Sequence, residues 1–344
     1  MTEALDISQL SKHFQTLTGS PAVSVSVLKP HASDRRIYRL ANDVKTVVGV
    51  VNANGQENEA FVYLAGHFRN FELPVPEVYH FAPKEQLYLL QDLGDTTLLD
   101  FLFSERSRTS QDFPENIETI YRRVLDHLAT FQVSASRSLD FNRCYPENEF
   151  SSPALLRDMI KFERELVARL LPDDSATNLK TDFRTLVEFL AQAQGDFFLY
   201  RDFQSRNIML VNQSPYFIDF QAGRRGPLQY DVVSLLYQSS AKLSENVRAR
   251  LLEHYLETVE GQLSLDRSTF TRYYSGFIVS RMLQVLGVYG SQGIGAGKEY
   301  FRKSIPGALH NLLGELSSPD FPIKLPTLRN CAERLVATLE GPQT

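Results

Sequence analysis

The sequence predicts an α+β, bilobal chain: a small β-rich lobe followed by a larger, mostly helical one. Three observations predict it. Period-two apolar alternation fills the first quarter around a single helical stretch. From about Thr96 onward, apolar residues recur mostly at three- and four-residue intervals. Two strand-like pieces interrupt that helical region near residue 200, with a polar run between them. The expected division is residues 1–92, a hinge at 93–97, and 98–344.

In order, "AVSVSVL" (Ala22 to Leu28) alternates strictly, "RRIYRL" follows a polar loop, and "KTVVGVV" is β-branched, which together predict a three-strand meander. "ENEAFVYLAGHFRNF" sets Phe61, Leu64, Ala65 and Phe68 at helical spacing, with acids in the first turn where the helix dipole favours them. "PEVYHF" and "QLYLLQDLGD" resume strand character around the turn-like "APKE". Helices are expected in "NIETIYRRVLDHLATFQ", "PALLRDMIKFERELVARLL", "TDFRTLVEFLAQA", "ENVRARLLEHYLETVEG" and "STFTRYYSGFIVSRMLQVLGVYG". Among them, "FFLY" with "NIMLV", and "YFIDF" after the turn-forming "NQSP", predict an embedded hairpin.

Composition bounds the function. A net charge of -5 argues against a generally basic nucleic-acid binder. The two cysteines, Cys144 and Cys331, are too few for a disulfide framework, so a reducing compartment is the simpler expectation. The opening residues lack a basic segment followed by an apolar one, and "GFIVSRMLQVLGVYG" is broken by Arg281, so neither a signal peptide nor a membrane span is expected. These readings predict a cytoplasmic protein with no membrane, nucleic-acid or protein partner. The seven histidines show no paired metal spacing.

The polar run "YRDFQSRNIML" carries the chemistry. It reads R-D-x-x-x-x-N as Arg201, Asp202 and Asn207, and twelve residues past Asn207 "IDF" supplies Asp219 at a strand end. A hairpin would bring Asp202, Asn207 and Asp219 to one end. Phosphoryl transfer needs a carboxylate to orient the attacking hydroxyl, and an amide with a second carboxylate to hold Mg²⁺ on nucleotide phosphates. Arg201 reads as structural, bridging buried carboxylates or carbonyls. Asp231, near the start of an apolar helix, reads on its own as a charge favoured by the helix dipole.

With "LLQDLGDTTLLDFL", "FIDFQAGRRGPLQYDVVSLL" and "SRMLQVLGVYG" added, the chain resembles the aminoglycoside phosphotransferase family, which has the bilobal protein-kinase-like fold. Within it, the resemblance is to kinases that phosphorylate N-acetylmuramate and N-acetylglucosamine at the anomeric hydroxyl. It implies ATP and Mg²⁺ as cofactors and a small-molecule acceptor, a sugar or amino sugar, bound against the helical lobe. It also implies Asp202 as the catalytic aspartate, Asn207 and Asp219 as the metal pair, and Asp231 as a buttress of the catalytic loop. Backbone groups around Gln91, Asp92 and Leu93 would meet the adenine, and Glu59 falls where the N-lobe helix presents its glutamate.

Departures from the wider kinase pattern leave alternatives open. No glycine-rich loop is present: "KPHASDRRIYRL" stands there, where either Ser33 and Asp34 turn a nucleotide-binding loop and Arg35 or Arg36 supplies charge to the phosphates, or the stretch is a polar hairpin tip with strand-flanking arginines; His31 reads as a surface residue. The third strand lacks its lysine, since Lys45 lies only at the strand's start. Arg224 and Arg225 in "QAGRRG" either meet an anionic acceptor group or form a solvated or salt-bridged loop. A kinase of an aminoglycoside, choline or a fructosamine, and a nucleotide-binding pseudokinase, are the rival readings.

Overall fold

The computed structural model describes residues 2–28, 35–171 and 179–340. The N-terminal lobe begins with helix α1 (Thr2–Thr18), followed by strands β1 (Ser24–Leu28), β2 (Arg36–Ala41) and β3 (Thr46–Val51), helix α2 (Gly55–Arg69), and strands β4 (Val78–Ala82) and β5 (Leu87–Gln91). The strands form one antiparallel sheet in the order β1-β2-β3-β5-β4. The meander, helix and two further strands read from the sequence are all present.

Alternation along the strands sorts the two sheet faces. Tyr38, Leu40, Val47, Val51, Leu87 and Leu89 pack against Leu10 and Phe14 of α1. Val50 and Tyr88 join the larger core with Phe61, Leu64 and Phe68 of α2. Helix α1 was not among the expected elements. Gly49 of β3 makes room for it: a Cβ there would stand 2.7 Å from a Leu10 methyl.

The C-terminal lobe continues with α3 (Leu98–Thr109), α4 (Glu115–Ala129), α5 (Ser152–Phe162), α6 (Ala168–Leu170) and α7 (Leu179–Leu190). Then come β6 (Phe197–Leu199), β7 (Ile208–Val211), β8 (Ser214–Phe217), β9 (Arg224–Gly226), α8 (Gln229–Leu236), α9 (Glu245–Glu260), α10 (Arg267–Tyr289), α11 (Glu299–Ser317) and α12 (Pro326–Glu340). The segment expected as "PALLRDMIKFERELVARLL" is α5 and α6 joined by a π-helical turn, Glu163–Val167. Helix α10 packs against α5, α8 and α11 and is buried on most of its surface, as a helix apolar nearly all round must be.

The expected single hairpin is two small sheets. β7 pairs with β8 as predicted, whereas β6 pairs with β9, a strand the sequence analysis did not foresee. The chain leaves the β6 line at Arg201, whose φ is +84°. Residues 200–207 therefore form a projecting loop between the two sheets. The lobes are tied beside it: Leu210 N–H donates to the Thr96 carbonyl at 2.9 Å and Phe217 N–H to the Pro74 carbonyl at 2.8 Å.

Candidate active site

The loop between β6 and β7 is anchored from beneath. Asp231, on the first turn of α8, is fully buried and accepts from Tyr200 N–H at 2.6 Å and Arg201 N–H at 2.9 Å. Burial pushes its carboxyl up to about 7, against the pull of those two N–H groups, the Arg281 charge and Gln132. It tethers the loop; the resemblance implies a loop support here, whereas position in the sequence alone suggests only a charge favoured by the helix dipole. Arg201 turns into the lobe, where its Nη2 donates to both carboxylate oxygens of Asp158 at 2.9 and 3.1 Å. Farther along, Gln238 Oε1 accepts from Ser205 N–H and Oγ at 2.8 and 2.7 Å.

Held this way, the loop brings the three predicted residues together. Asn207 Nδ2 donates to the Asp202 backbone carbonyl at 2.9 Å and lies 3.4 Å from Asp219 Oδ2. Ile218 N–H donates to the Asn207 carbonyl at 3.1 Å, which fixes the start of β7 beside the end of β8. Asp219 has φ +69°, a left-handed backbone uncommon for a residue with a Cβ and often seen where a functional side chain must be aimed. Burial alone would raise its carboxyl. The Arg35 charge, hydrogen bonds from Gln221 and Arg35, and the Arg206 charge outweigh burial and hold it below the usual carboxylate range.

The donor set suits a hard cation. The Asn207 amide nitrogen is committed to Asp202 and Asp219, which leaves the amide oxygen as the atom to offer beside the ionised Asp219 carboxylate. Oxygen ligands in this number, completed by water and phosphate, are what Mg²⁺ takes. A cation already stands at the carboxylate: Arg35 Nη2 donates to Asp219 Oδ1 at 2.6 Å.

The upper wall of the cleft differs from expectation at several positions. Arg35 lies on the α2 side of the sheet, where the charges of Asp219 and Glu57 outweigh the cost of its burial and keep its guanidinium protonated. Arg36, the next residue, is on the opposite face. It pairs with Asp6 of α1, which also accepts from Tyr38 Oη at 2.9 Å, so a phosphate contact from Arg36 is ruled out by its direction. Glu59 is exposed on α2, and the helix acid whose charge acts on Arg35 is Glu57, two residues earlier. Lys45 lies 3.4 Å over the Tyr79 ring, away from the cleft. Ser33, Asp34 and His31 lie outside the described residues.

Gln91, Asp92 and Leu93 form the strand end that joins the lobes. Gln91 N–H donates to the Glu77 carbonyl at 2.8 Å, and Leu93 is buried. Arg39 of β2 grips this segment, 2.7 Å from Asp92, 2.8 Å from Asp95 and 3.3 Å from the Gly94 carbonyl. This clamp was not anticipated, although "RIYRL" places Arg39 on the same strand face as Ile37.

Of the two arginines proposed to meet the acceptor, Arg224 is buried and donates to Glu147 at 2.6 Å, so its charge is spent within the protein. Arg225 is exposed, 4.7 Å over the Phe141 ring, at the rim of a cleft of about 440 Å³ walled by Phe150, Leu155, Leu190 and Phe277. The residue that sequence reasoning missed is Arg281. It is 1% exposed on α10, with Nη1 donating to the Arg201 carbonyl at 3.2 Å and Nη2 lying 3.4 Å from Asp202 Oδ1. Its signal was the charge that breaks the apolar stretch "GFIVSRMLQVLGVYG".

Comparison with known proteins places the chain in a family. The chain is 27% identical over 310 residues to an N-acetylmuramate/N-acetylglucosamine kinase of Neisseria meningitidis serogroup B, covering 88% of this chain and 89% of that one. It is 26% identical over 282 residues to a protein of the same name from Pseudomonas aeruginosa, covering 80% and 78%. Among solved structures, the choline kinase LicA of Streptococcus pneumoniae superposes with a TM-score of 0.61 at 14% identity, covering 89% of this chain and 98% of that one. An AMP-bound spectinomycin phosphotransferase gives 0.59 at 14% identity, covering 96% and 98%. Both are likenesses of fold, the bilobal protein-kinase-like one. With residues 24–265 matching the model of the phosphotransferase enzyme family, the chain belongs to that family and is a kinase acting on a small molecule.

Proposed function

We propose that the chain is an ATP- and Mg²⁺-dependent kinase that phosphorylates an amino sugar at its anomeric hydroxyl. The observation that carries the reading is the bond network in which Asn207 links the Asp202 backbone to the Asp219 carboxylate. The network supports reading Asp202 as the carboxylate for the acceptor and Asn207 with Asp219 as oxygen donors for a metal. The amino-sugar acceptor is supported by the two relatives, both named N-acetylmuramate/N-acetylglucosamine kinase.

In this reading the nucleotide lies between the lobes, with its adenine against Gln91 to Leu93. Asn207 and Asp219 would hold Mg²⁺, which would supply positive charge against the negative charge that develops on the phosphates. Arg35 adds a second positive charge at the phosphates, in place of the missing third-strand lysine. Asp202 orients the sugar hydroxyl and accepts its proton as the phosphoryl group transfers. The transition state is loose, so positioning and electrostatics supply most of the acceleration. The acceptor lies against α10 and the helical lobe.

Phosphate transfer from ATP to N-acetylglucosamine and N-acetylmuramate, with the product's phosphorylated position identified, tests the proposal. Asp202→Ala is expected to abolish transfer while nucleotide binding persists. Full activity in that variant, or transfer to choline or an aminoglycoside but to neither sugar, would overturn it.

A further inference from the structure

We infer that Arg281 is a positioning residue for Asp202, setting the catalytic carboxylate from a helix remote in sequence. This rests on the assignment of Asp202 as the group that orients the acceptor. Burying a guanidinium is costly unless its donors are matched, and a Leu or Met would fill this place on α10 without that cost. Arg281 is matched: Nη1 donates to Gln284 Oε1 at 2.9 Å, to Tyr230 Oη at 3.1 Å and to the Arg201 carbonyl at 3.2 Å. The Tyr230 ring lies 5.4 Å from its guanidinium.

Two of its contacts fall on consecutive residues of the same loop. One is the carbonyl that precedes Asp202, and the other, at 3.4 Å, is the Asp202 carboxylate itself. Asp231 holds the N–H of Arg201 and Arg281 holds its C=O. The peptide groups on both sides of a residue with φ +84° are thus fixed from opposite directions. Gln284 and Tyr230 in turn orient the guanidinium. Nη2 is the arm left for Asp202, and its charge favours one carboxylate oxygen, leaving the other to face the acceptor hydroxyl.

The test compares Arg281→Met, Arg281→Lys and the wild type for transfer to N-acetylglucosamine, and in parallel for ATP hydrolysis to water, where Asp202 orients the water and no sugar is required. Arg281→Met should lower kcat by about 100-fold, the scale of a misplaced reactive group, with the KM for ATP within about twofold. Arg281→Lys should recover about tenfold, because a cation returns beside Asp202. Combined with Asp202→Asn, Arg281→Met should add little further loss, since the two residues act through one contact. If Arg281→Met does not fold, Gln284→Leu, which frees Nη1 from its orienting acceptor, should lower kcat about tenfold at unchanged KM. A purely structural arginine would instead slow wild type and Asp202→Asn by equal factors, or leave kcat of the folded variants within twofold, and either result overturns the inference. Loss of sugar transfer in the wild type with ATP hydrolysis still dependent on Arg281 would reject the sugar, not the positioning role.

Discussion

Asp231 shows how far one residue's meaning depends on its surroundings. In the sequence it is an acid near the start of an apolar helix, a position that macrodipole energetics alone explain. In the fold it has no solvent exposure and spends both oxygens on the backbone of the catalytic loop. Asp231→Asn keeps one acceptor oxygen of the two, and the unpaired N–H should cost about 1–3 kcal/mol in urea unfolding. The pH dependence has a definite sign. An acid raised from its ordinary 3.8 to about 7 binds more protons folded than unfolded between those values. Its contribution to stability is therefore full below that window and is lost as pH rises through it. The stability difference between wild type and Asp231→Asn should shrink as pH climbs from about 4 to about 7. A difference that grows over this range would contradict the assignment.

Two adjacent arginines at the start of β2, Arg35 just before the strand and Arg36 its first residue, divide two tasks, because neighbouring side chains on extended backbone point to opposite faces. Arg36 reaches α1 and Arg35 reaches the cleft. Arg35→Ala should raise the KM for ATP about tenfold, a loss near 1.4 kcal/mol of binding. Arg36→Ala should leave that KM unchanged and cost about 1–3 kcal/mol of stability, since it strips the buried Asp6 carboxylate of its cation and leaves it the Tyr38 hydroxyl. Steady-state kinetics with thermal unfolding separates the two, and equal effects on KM would refute the division. From the sequence either arginine could face the phosphates, and the alternation of extended backbone lets only one of them do so. Helix α1 was legible too, with Ile7, Leu10, Phe14 and Leu17 at helical spacing. Strand β9 was not: "RRG" has no strand preference, and pairing with β6 makes it one.

Across the molecule, the site is assembled from both lobes: Arg35 from the sheet, Asp202 and Asn207 from the loop, Asp219 beyond β8, and the anchors Asp158, Asp231 and Arg281 from α5, α8 and α10. A ligand that spans the cleft should therefore stabilise the whole fold. ATP with Mg²⁺ at 100 times its dissociation constant should add about 2.7 kcal/mol, read as a rise in Tm. Asp219→Ala should erase the part of that rise that depends on Mg²⁺, and a metal-dependent rise that survives the substitution would exclude Asp219 as a ligand. The grouping of the candidate site was readable along the chain because Asp202, Asn207 and Asp219 lie within eighteen residues, in a local loop and hairpin whose turn residues and apolar runs announce themselves. The direction of Arg35, the burial of Asp231 and Arg224, and the reach of Arg281 to Asp202 were not readable. Each depends on packing between segments 30 to 184 residues apart or on which face of an element is covered, and neither is encoded in local spacing.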